Sequence, residues 1–158
     1  MTDDELQALG HLMVPESALR YRILGLPSIA ALVGDRCYPA PLVQGDPDNP
    51  DEAILPAITM QEVVRDGDQN LDGPAGSART TVQVDVWAKT SSVATRLKEL
   101  VRVQVDGKAW ESSPMRVFVA TIVRIAGAPT YEPETRLHRR SFDVLMFHTE
   151  ARTEQELE

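Results

Sequence analysis

The stretch that decides the fold runs from Thr80 to Ala88 and reads Thr-Thr-Val-Gln-Val-Asp-Val-Trp-Ala. Every second residue from Val82 to Ala88 is apolar, and only a β-strand places such residues on one face. From Ala94 to Val105 the apolar residues instead recur every three or four positions, as on the buried side of a helix. The sequence therefore predicts a half-buried strand followed by an amphipathic helix, and the two need a shared core.

The residues upstream of this unit predict helices. One helix should start at Pro15, which suits a first helical position, and end at Gly25. A shorter helix should be capped by Ser28 and end at Gly34. A capping-box spacing ahead of another apolar stripe predicts a further helix over residues 3–13. The cap and the stripe consist of Thr2, Glu5, Leu6, Leu9, Leu12 and Met13.

Other stretches predict strands. A brief strand is expected over residues 36–38 and a longer one over 54–64. Residues 66–78 indicate a long connection, because a usual hairpin loop has only about 2–5 residues. Residues 117–125 are apolar on both faces, which leaves two alternatives: an interior strand covered on both sides, or a strand buried by an oligomer. The last strand is expected over residues 137–148.

The order of these elements indicates the fold class. Helices come first, followed by two strands, a helix and two strands. Short connections favour antiparallel neighbours, so the sequence predicts an α+β fold in which helices pack on one face of a four- to five-stranded antiparallel sheet. A length of 158 residues is enough for one domain with a substantial core.

Composition excludes several classes of protein. A net charge of −8 argues against a general nucleic-acid binder whose affinity depends on phosphate neutralisation. The single cysteine, Cys37, rules out an intramolecular disulfide and is compatible with a reducing cytoplasm. The acidic start differs from a secretory signal, and no stretch approaches the roughly 20 apolar residues of a membrane helix. We therefore expect no membrane partner.

The charge is unevenly distributed. Residues 35–76 contain nine acidic and two basic side chains, a net charge of −7. Residues 77–149 contain eleven basic and seven acidic side chains, a net charge of +4. The two segments could complement each other between identical subunits, or neutralise each other within one fold.

No motif indicates catalysis, a metal or a cofactor. Asp66, Asp68 and Asn70 occupy the first, third and fifth positions of a calcium loop, but Leu71 replaces the required glycine and Ser77 the bidentate glutamate. Residues 73–76, Gly-Pro-Ala-Gly, lack the lysine of a phosphate loop. No metal-ligand spacing links the remaining candidate side chains, which are His11, Cys37, His138 and His148. We therefore expect no catalytic residue and no cofactor.

Surface contacts are the more promising role for the polar residues. Trp87 faces away from the valines of its strand, which indicates either a second covering layer or a subunit interface. Arg139 should face opposite to Arg140, so this basic run is either a solvated strand end or a subunit or DNA contact. The candidate interface residues are Asp66, Asp68, Asn70, Asp72, Arg79, Trp87, Arg139 and Arg140.

Three segments of this chain resemble one known family when they are taken in order. They are Ala31–Pro39, Ala-Leu-Val-Gly-Asp-Arg-Cys-Tyr-Pro; Gly73–Ala88, which opens the central strand; and Tyr131–Asp143, which begins Tyr-Glu-Pro-Glu-Thr and leads into the last strand. Together they resemble the tail completion, or tail terminator, proteins of long-tailed bacteriophages and phage-derived particles. The resemblance spans residues 17–148, which leaves 1–16 as an N-terminal helical extension and 149–158 as an acidic tail.

The resemblance implies a structural role without enzymatic activity or cofactors. It implies a ring, usually a hexamer, at the head-proximal end of the tail within the virion, assembled in the host cytoplasm. Such a ring would stop polymerisation of the tail tube protein and then meet the head–tail connector protein. DNA would pass through the lumen without sequence-specific binding.

Two other functions remain as alternatives. A head-side connector, or neck adaptor, would share the ring but dock on a portal complex. A small enzyme that uses Cys37 or His138 is a third hypothesis, for which the sequence suggests no substrate.

Overall fold

The computed structural model describes residues 15–42, 54–70, 73–112, 117–125, 130–133 and 136–149. The helix predicted over residues 3–13 lies outside this part of the chain. The helices are α1 (Pro15–Leu24), α2 (Pro27–Val33) and α3 (Ser91–Val105). The strands are β1 (Cys37–Pro39), β2 (Ala57–Asn70), β3 (Gly73–Ala88), β4 (Ala109–Ser112), β5 (Val117–Ile125), β6 (Thr130–Glu132) and β7 (Leu137–Thr149).

The two short helices have the expected limits but not the expected cap. Helix α1 begins at Pro15 and is followed by Gly25, as predicted. Helix α2 ends at Gly34, whose φ of 61° suits a residue without a side chain. The prediction that Ser28 caps α2 is wrong, because Leu26 occupies the cap position and Pro27 starts the helix. Proline at the first turn removes an N–H that would have no partner, so the helix begins without a side-chain cap.

Helix α3 confirms the period of three to four residues. Its buried side chains are Ala94, Leu97, Val101 and Val105. At its start the Thr90 hydroxyl accepts a hydrogen bond from the Val93 N–H at 3.3 Å, which satisfies one of the free amides of the first turn. Gly107, with a φ of 64°, takes the left-handed conformation that lets the chain turn into β4.

The sheet is larger than predicted and is mixed. Its strand order is β1-β2-β3-β7-β5-β4, with β6 paired to β7, so the predicted four- to five-stranded antiparallel sheet is wrong in number and type. Strands β4 and β6 have only 4 and 3 residues, too few for a visible alternation of apolar side chains. Strand β1 pairs with β2 in parallel, and the connection over residues 40–56 is long enough for the required crossover.

Strands β2 and β3 form a long hairpin where the sequence indicated a connection. Their pairing continues to Asn70 and Gly73, so the predicted long connection over residues 66–78 is wrong. The stretch carries glycine and aspartate, which are depleted in strands, but backbone pairing persists through a register shift between Gly67 and Gln69. Strand β7 accompanies β3 only as far as Ser77. We call Asp66–Asn70 with Gly73–Arg79 the hairpin arm.

Helices and sheet share one core. Directly paired residues of antiparallel strands point to the same side, so Val82, Val84 and Val86 of β3 share a side with their partners on β7. These side chains form one buried cluster with residues of all three helices. The main members are Leu19, Ile23, Ile29, Val33, Ile58, Met60, Val82, Val84, Val86, Leu97, Val101, Phe142, Val144 and Met146. We call the opposite side of the sheet the open face, because no helix in the described ranges contributes to it.

Candidate functional site

Trp87 marks one end of the open face. Its indole Nε1 donates a hydrogen bond to the Thr59 hydroxyl at 3.0 Å, which fixes the ring over β2. The Arg139 guanidinium carbon lies 5.4 Å from the centre of the ring, within cation–π range. Positions 87 and 139 are directly paired in the ladder between β3 and β7. The two predicted interface residues are therefore in contact, and both side chains remain partly exposed.

A polar network adjoins Trp87. Strand alternation places Gln83 and Asp85 beside Trp87, but sequence reasoning did not predict their hydrogen bonds. The Asp85 side chain is only 9% exposed, so its charge needs hydrogen-bond donors. Gln83 donates to it at 3.2 Å, and the Ser141 hydroxyl donates to its Oδ1. The alternation of β3 places Asp85 on the same side as Trp87, and this signal was present in the sequence. The network holds the polar middle of the open face in one arrangement.

Arg140 has a different place from Arg139. It is 8% exposed and on the helix side of the sheet. Its Nη2 donates to the Ser91 hydroxyl at 2.8 Å and its Nη1 to the Arg139 carbonyl at 3.1 Å, so it ties β7 to the start of α3. The sequence predicted correctly that neighbouring arginines face opposite sides. An enclosed side chain offers little surface to a second subunit, which favours Arg139 as the contact residue.

The hairpin arm holds the remaining predicted residues. Asp66 and Arg79 are exposed and are paired across the two strands of the arm. Asp68 and Asn70 belong to the last part of β2, where the backbone alone is described. Asp72 lies outside the described residues. The arm thus brings Asp66 and Arg79 together, about 27 Å along β3 from Trp87 for a rise of about 3.4 Å per residue.

Exposed apolar side chains lie on the open face between its polar middle and the end of the arm, and Thr81 of β3 interrupts them. Val64 is in register with Thr81, which pairs with Leu145, which in turn pairs with Ile122. Phe147 follows Leu145 on the same side of β7. The exposed fractions are 49% for Val64, 47% for Ile122 and 38% for Phe147. We call Val64, Ile122, Leu145 and Phe147 the open-face belt. Sequence reasoning noted both faces of β7 but did not connect them with β2.

The belt bears on the two alternatives left open for residues 117–125. An interior strand would have both of its apolar faces covered, but Ile122 of β5 is 47% exposed. Within the described ranges, the chain itself therefore does not cover this side of β5. Burial by an oligomer stays a prediction.

The family of this chain can be stated from sequence. The model of the family "Tail completion protein gp17" matches residues 17–149. The chain belongs to this family. The resemblance inferred from the three segments is thereby confirmed, and the role is that of a structural, tail-related protein of a virion. The limits of the N-terminal extension and of the acidic tail stay predictions.

The fold of this tail completion protein also occurs in a solved particle. It is similar to a chain from "Virion of native gene transfer agent (GTA) particle", with a TM-score of 0.56 and 15% identity. The match covers 85% of this chain and 92% of that chain. At this identity the likeness concerns the fold alone. No curated protein matches the sequence.

The side chains considered for metal binding or catalysis can be located on the fold. Among them no three histidine, cysteine or acidic side chains are grouped to hold a metal ion. Cys37 and His138 lie on β1 and β7, which β2 and β3 separate in the sheet. The ring of His138 contacts that of Tyr131, with centres 4.8 Å apart and planes tilted by 43°. No helix in the described part of the chain is long and apolar enough to cross a membrane.

Cys37 should be chemically inert in the folded protein. The residue is fully buried, and burial raises the pKa of its thiol to about 12, against a smaller opposing effect of Arg20. The thiolate is the reactive form, so at pH 8 a thiol reagent should label Cys37 only after addition of denaturant. Labelling followed by mass spectrometry checks this. Complete labelling of the folded protein within minutes would contradict the burial of β1.

Proposed function

We propose that this tail completion protein forms a ring that caps the tail tube, stops its polymerisation and prepares joining of the head. Family membership supports a tail-related structural role, and one feature of the fold carries the finer proposal. The open face carries two unlike groups of residues at opposite ends, the Trp87–Arg139 pair and the hairpin arm. A closed ring needs such a heterologous interface, in which two unlike surfaces of one subunit meet.

The ring would act by competition for an interface. A subunit that binds the last tube ring as a further tube subunit would, but presents a different upper surface, ends the polymer. The end of the hairpin arm, Gly73–Gly76 with its partners on β2, suits this contact because it extends beyond the part of β3 that β7 accompanies. Its edges are therefore open to another protein, whereas the middle of the sheet is paired on both sides.

The charge supports a passage for DNA. A net charge of −8 disfavours adhesion to phosphate groups, so a lumen formed by such subunits would let DNA slide. The partners proposed are further copies of this chain, the tube protein and the head–tail connector protein, at the head-proximal end of the tail. A hexamer is the proposed stoichiometry.

Sedimentation of the purified protein, alone and with tube protein, tests the proposal. We expect sedimentation to show a discrete ring in one of the two conditions. Electron microscopy should show tubes that all end in the same cap. Binding to the connector protein but not to the tube protein would instead indicate the head-side adaptor. A monomer that binds neither protein would overturn both.

A charge reversal in the hairpin arm gives a sharper test. Arg79→Glu should weaken binding to the tube protein about 10-fold, since the exposed side chain would meet a partner with the wrong charge. The matched control is Arg96→Glu, the same change at an exposed site of α3 on the helix side. Titration by light scattering or interferometry measures both. Equal affinities for the two variants would exclude the arm from the contact.

A further inference from the structure

The Arg139 guanidinium has no acidic partner in the described part of the chain. It takes part in none of the ion pairs found among the described residues, and its Nε is buried there without a hydrogen-bond partner. A buried N–H without a partner costs free energy, because it has lost its contact with water. The side chain as a whole is only partly buried, so an acceptor from another molecule can reach it.

The acidic residue beside Trp87 on the open face does not meet this need. Asp85 lies two residues before Trp87 and points to the same side of β3. Its carboxylate accepts hydrogen bonds from Gln83 and Ser141, which already compensate its charge, and it forms no ion pair with Arg139. The carboxylate that complements Arg139 is therefore expected from another molecule.

A second copy of this chain offers such a carboxylate. Asp66 of the hairpin arm is exposed, and none of the ion pairs found among the described residues includes it, although Arg79 lies directly opposite on β3. Asp66 and Arg139 point to the same face, but their rows lie eight residues apart along β3. That separation is about 27 Å at a rise of about 3.4 Å per residue, so the two side chains cannot meet within one subunit.

We propose that, in the ring, Arg139 of one subunit binds Asp66 of the partner subunit. A guanidinium and a carboxylate form charge-assisted hydrogen bonds, which are among the strongest between side chains. Arg139 already lies over the ring of Trp87, so it loses less freedom when it pairs. The two ends are unlike, so the contact can repeat from subunit to subunit until the ring closes. This inference rests on the proposed function and names the contact that would hold the ring together.

Exchange of the two charges tests the contact, with ring assembly measured by sedimentation in the condition where the wild type forms a ring. Asp66→Arg and Arg139→Glu should each raise the protein concentration needed for assembly about 10-fold, because like charges then face each other. The double variant restores opposite charges at every interface and should assemble within about 3-fold of the wild type. The matched control is Asp35→Arg, the same change at another exposed carboxylate, in the turn after α2. It should neither weaken assembly nor rescue Arg139→Glu.

A second pair of variants avoids charge repulsion within the fold. Asp66→Asn and Arg139→Gln should each weaken assembly about 10-fold, and the double variant no further, because both changes remove the same contact. Unfolding midpoints near that of the wild type show that the fold is intact.

The outcomes separate this contact from the proposed function. If the ring forms but the neutral changes have additive effects, or the folded exchange variant is not rescued, the contact is overturned and the ring stands. Assembly that is equal in all variants would have the same meaning. If Asp66→Asn weakens only the binding of tube protein, Asp66 belongs to that interface and the contact is again overturned. A wild-type protein that forms no ring, alone or with tube protein, would overturn the proposed function and this contact with it.

Discussion

Replacement of Phe142 by alanine should lower the free energy of unfolding by about 3–5 kcal/mol, the usual cost of removing a buried aromatic ring. Phe142 is 1% exposed and lies on β7, between Val84 of β3 and Ile125 of β5. It is the largest fully buried side chain in the described part of the chain. Strands on both sides hold the backbone in place, so the cavity left by the ring cannot collapse fully. Denaturant unfolding with an unchanged slope would give the difference directly.

Phe147→Ala is the matched control for this prediction. It removes the same side chain from the same strand, but Phe147 points to the open face and is 38% exposed. Its loss should cost less than half as much, because a half-exposed ring loses less burial on truncation. Equal costs at the two sites would mean that the open face is as tightly enclosed as the core, which would contradict the one-sided helix layer.

The central unit of the fold was predictable because its periods are long and regular. Strand β3 shows four apolar residues in strict alternation, and α3 shows a stripe over its whole length. Strand β7 was predicted within one residue of its observed end for the same reason. Burial of one face is what makes these patterns visible, since each misplaced polar residue would cost free energy in the core.

The hairpin arm was not predictable by the same rule. The part of β3 before Ser77 does not pair with β7. Burial against a neighbouring strand therefore imposes no apolar alternation on Gly73–Gly76. The backbone pairing with β2 remains, but main-chain hydrogen bonds do not restrict which side chains occur, so the sequence does not reveal them. Strand pairing across the sheet, including the parallel pair of β1 and β2, likewise depends on distant segments.

The candidate site was predicted in part for a related reason. Trp87 and Arg139 were each identified from strand alternation, which fixes the side of the sheet. Their contact, however, depends on the register between β3 and β7, which a single strand does not specify. The open-face belt was missed because its members come from three strands. Arg140 shows why charge alone does not predict exposure. The basic run indicated an exposed side chain, whereas the strand register encloses Arg140 beside Ser91.

Substitution of the Trp87–Arg139 pair should weaken ring assembly by more than any other change on the open face. Tryptophan and arginine dominate the contact energy of protein interfaces, and loss of one such residue typically costs at least about 2 kcal/mol, a factor of about 30 in affinity. Trp87 also presents a rigid surface, because its indole N–H is held by Thr59. Trp87→Ala should therefore shift the sedimentation of the protein, or of its complex with tube protein, toward the monomer.

Arg139→Gln separates assembly from stability. Trp87→Ala also removes the hydrogen bond to the buried Thr59 hydroxyl, so part of its effect will be on folding. Within the described part of the chain the Arg139 Nε has no hydrogen-bond partner, and glutamine keeps most of the length of arginine while it removes the charge over the ring. We expect the midpoint of unfolding to stay near that of the wild type and ring assembly to fall about 10-fold. Arg96→Gln on α3 is the control for loss of one positive charge. If Arg139→Gln assembles as well as the wild type, the subunit interface does not include this end of the sheet. A contact centred on Trp87 would also involve the guanidinium above its ring.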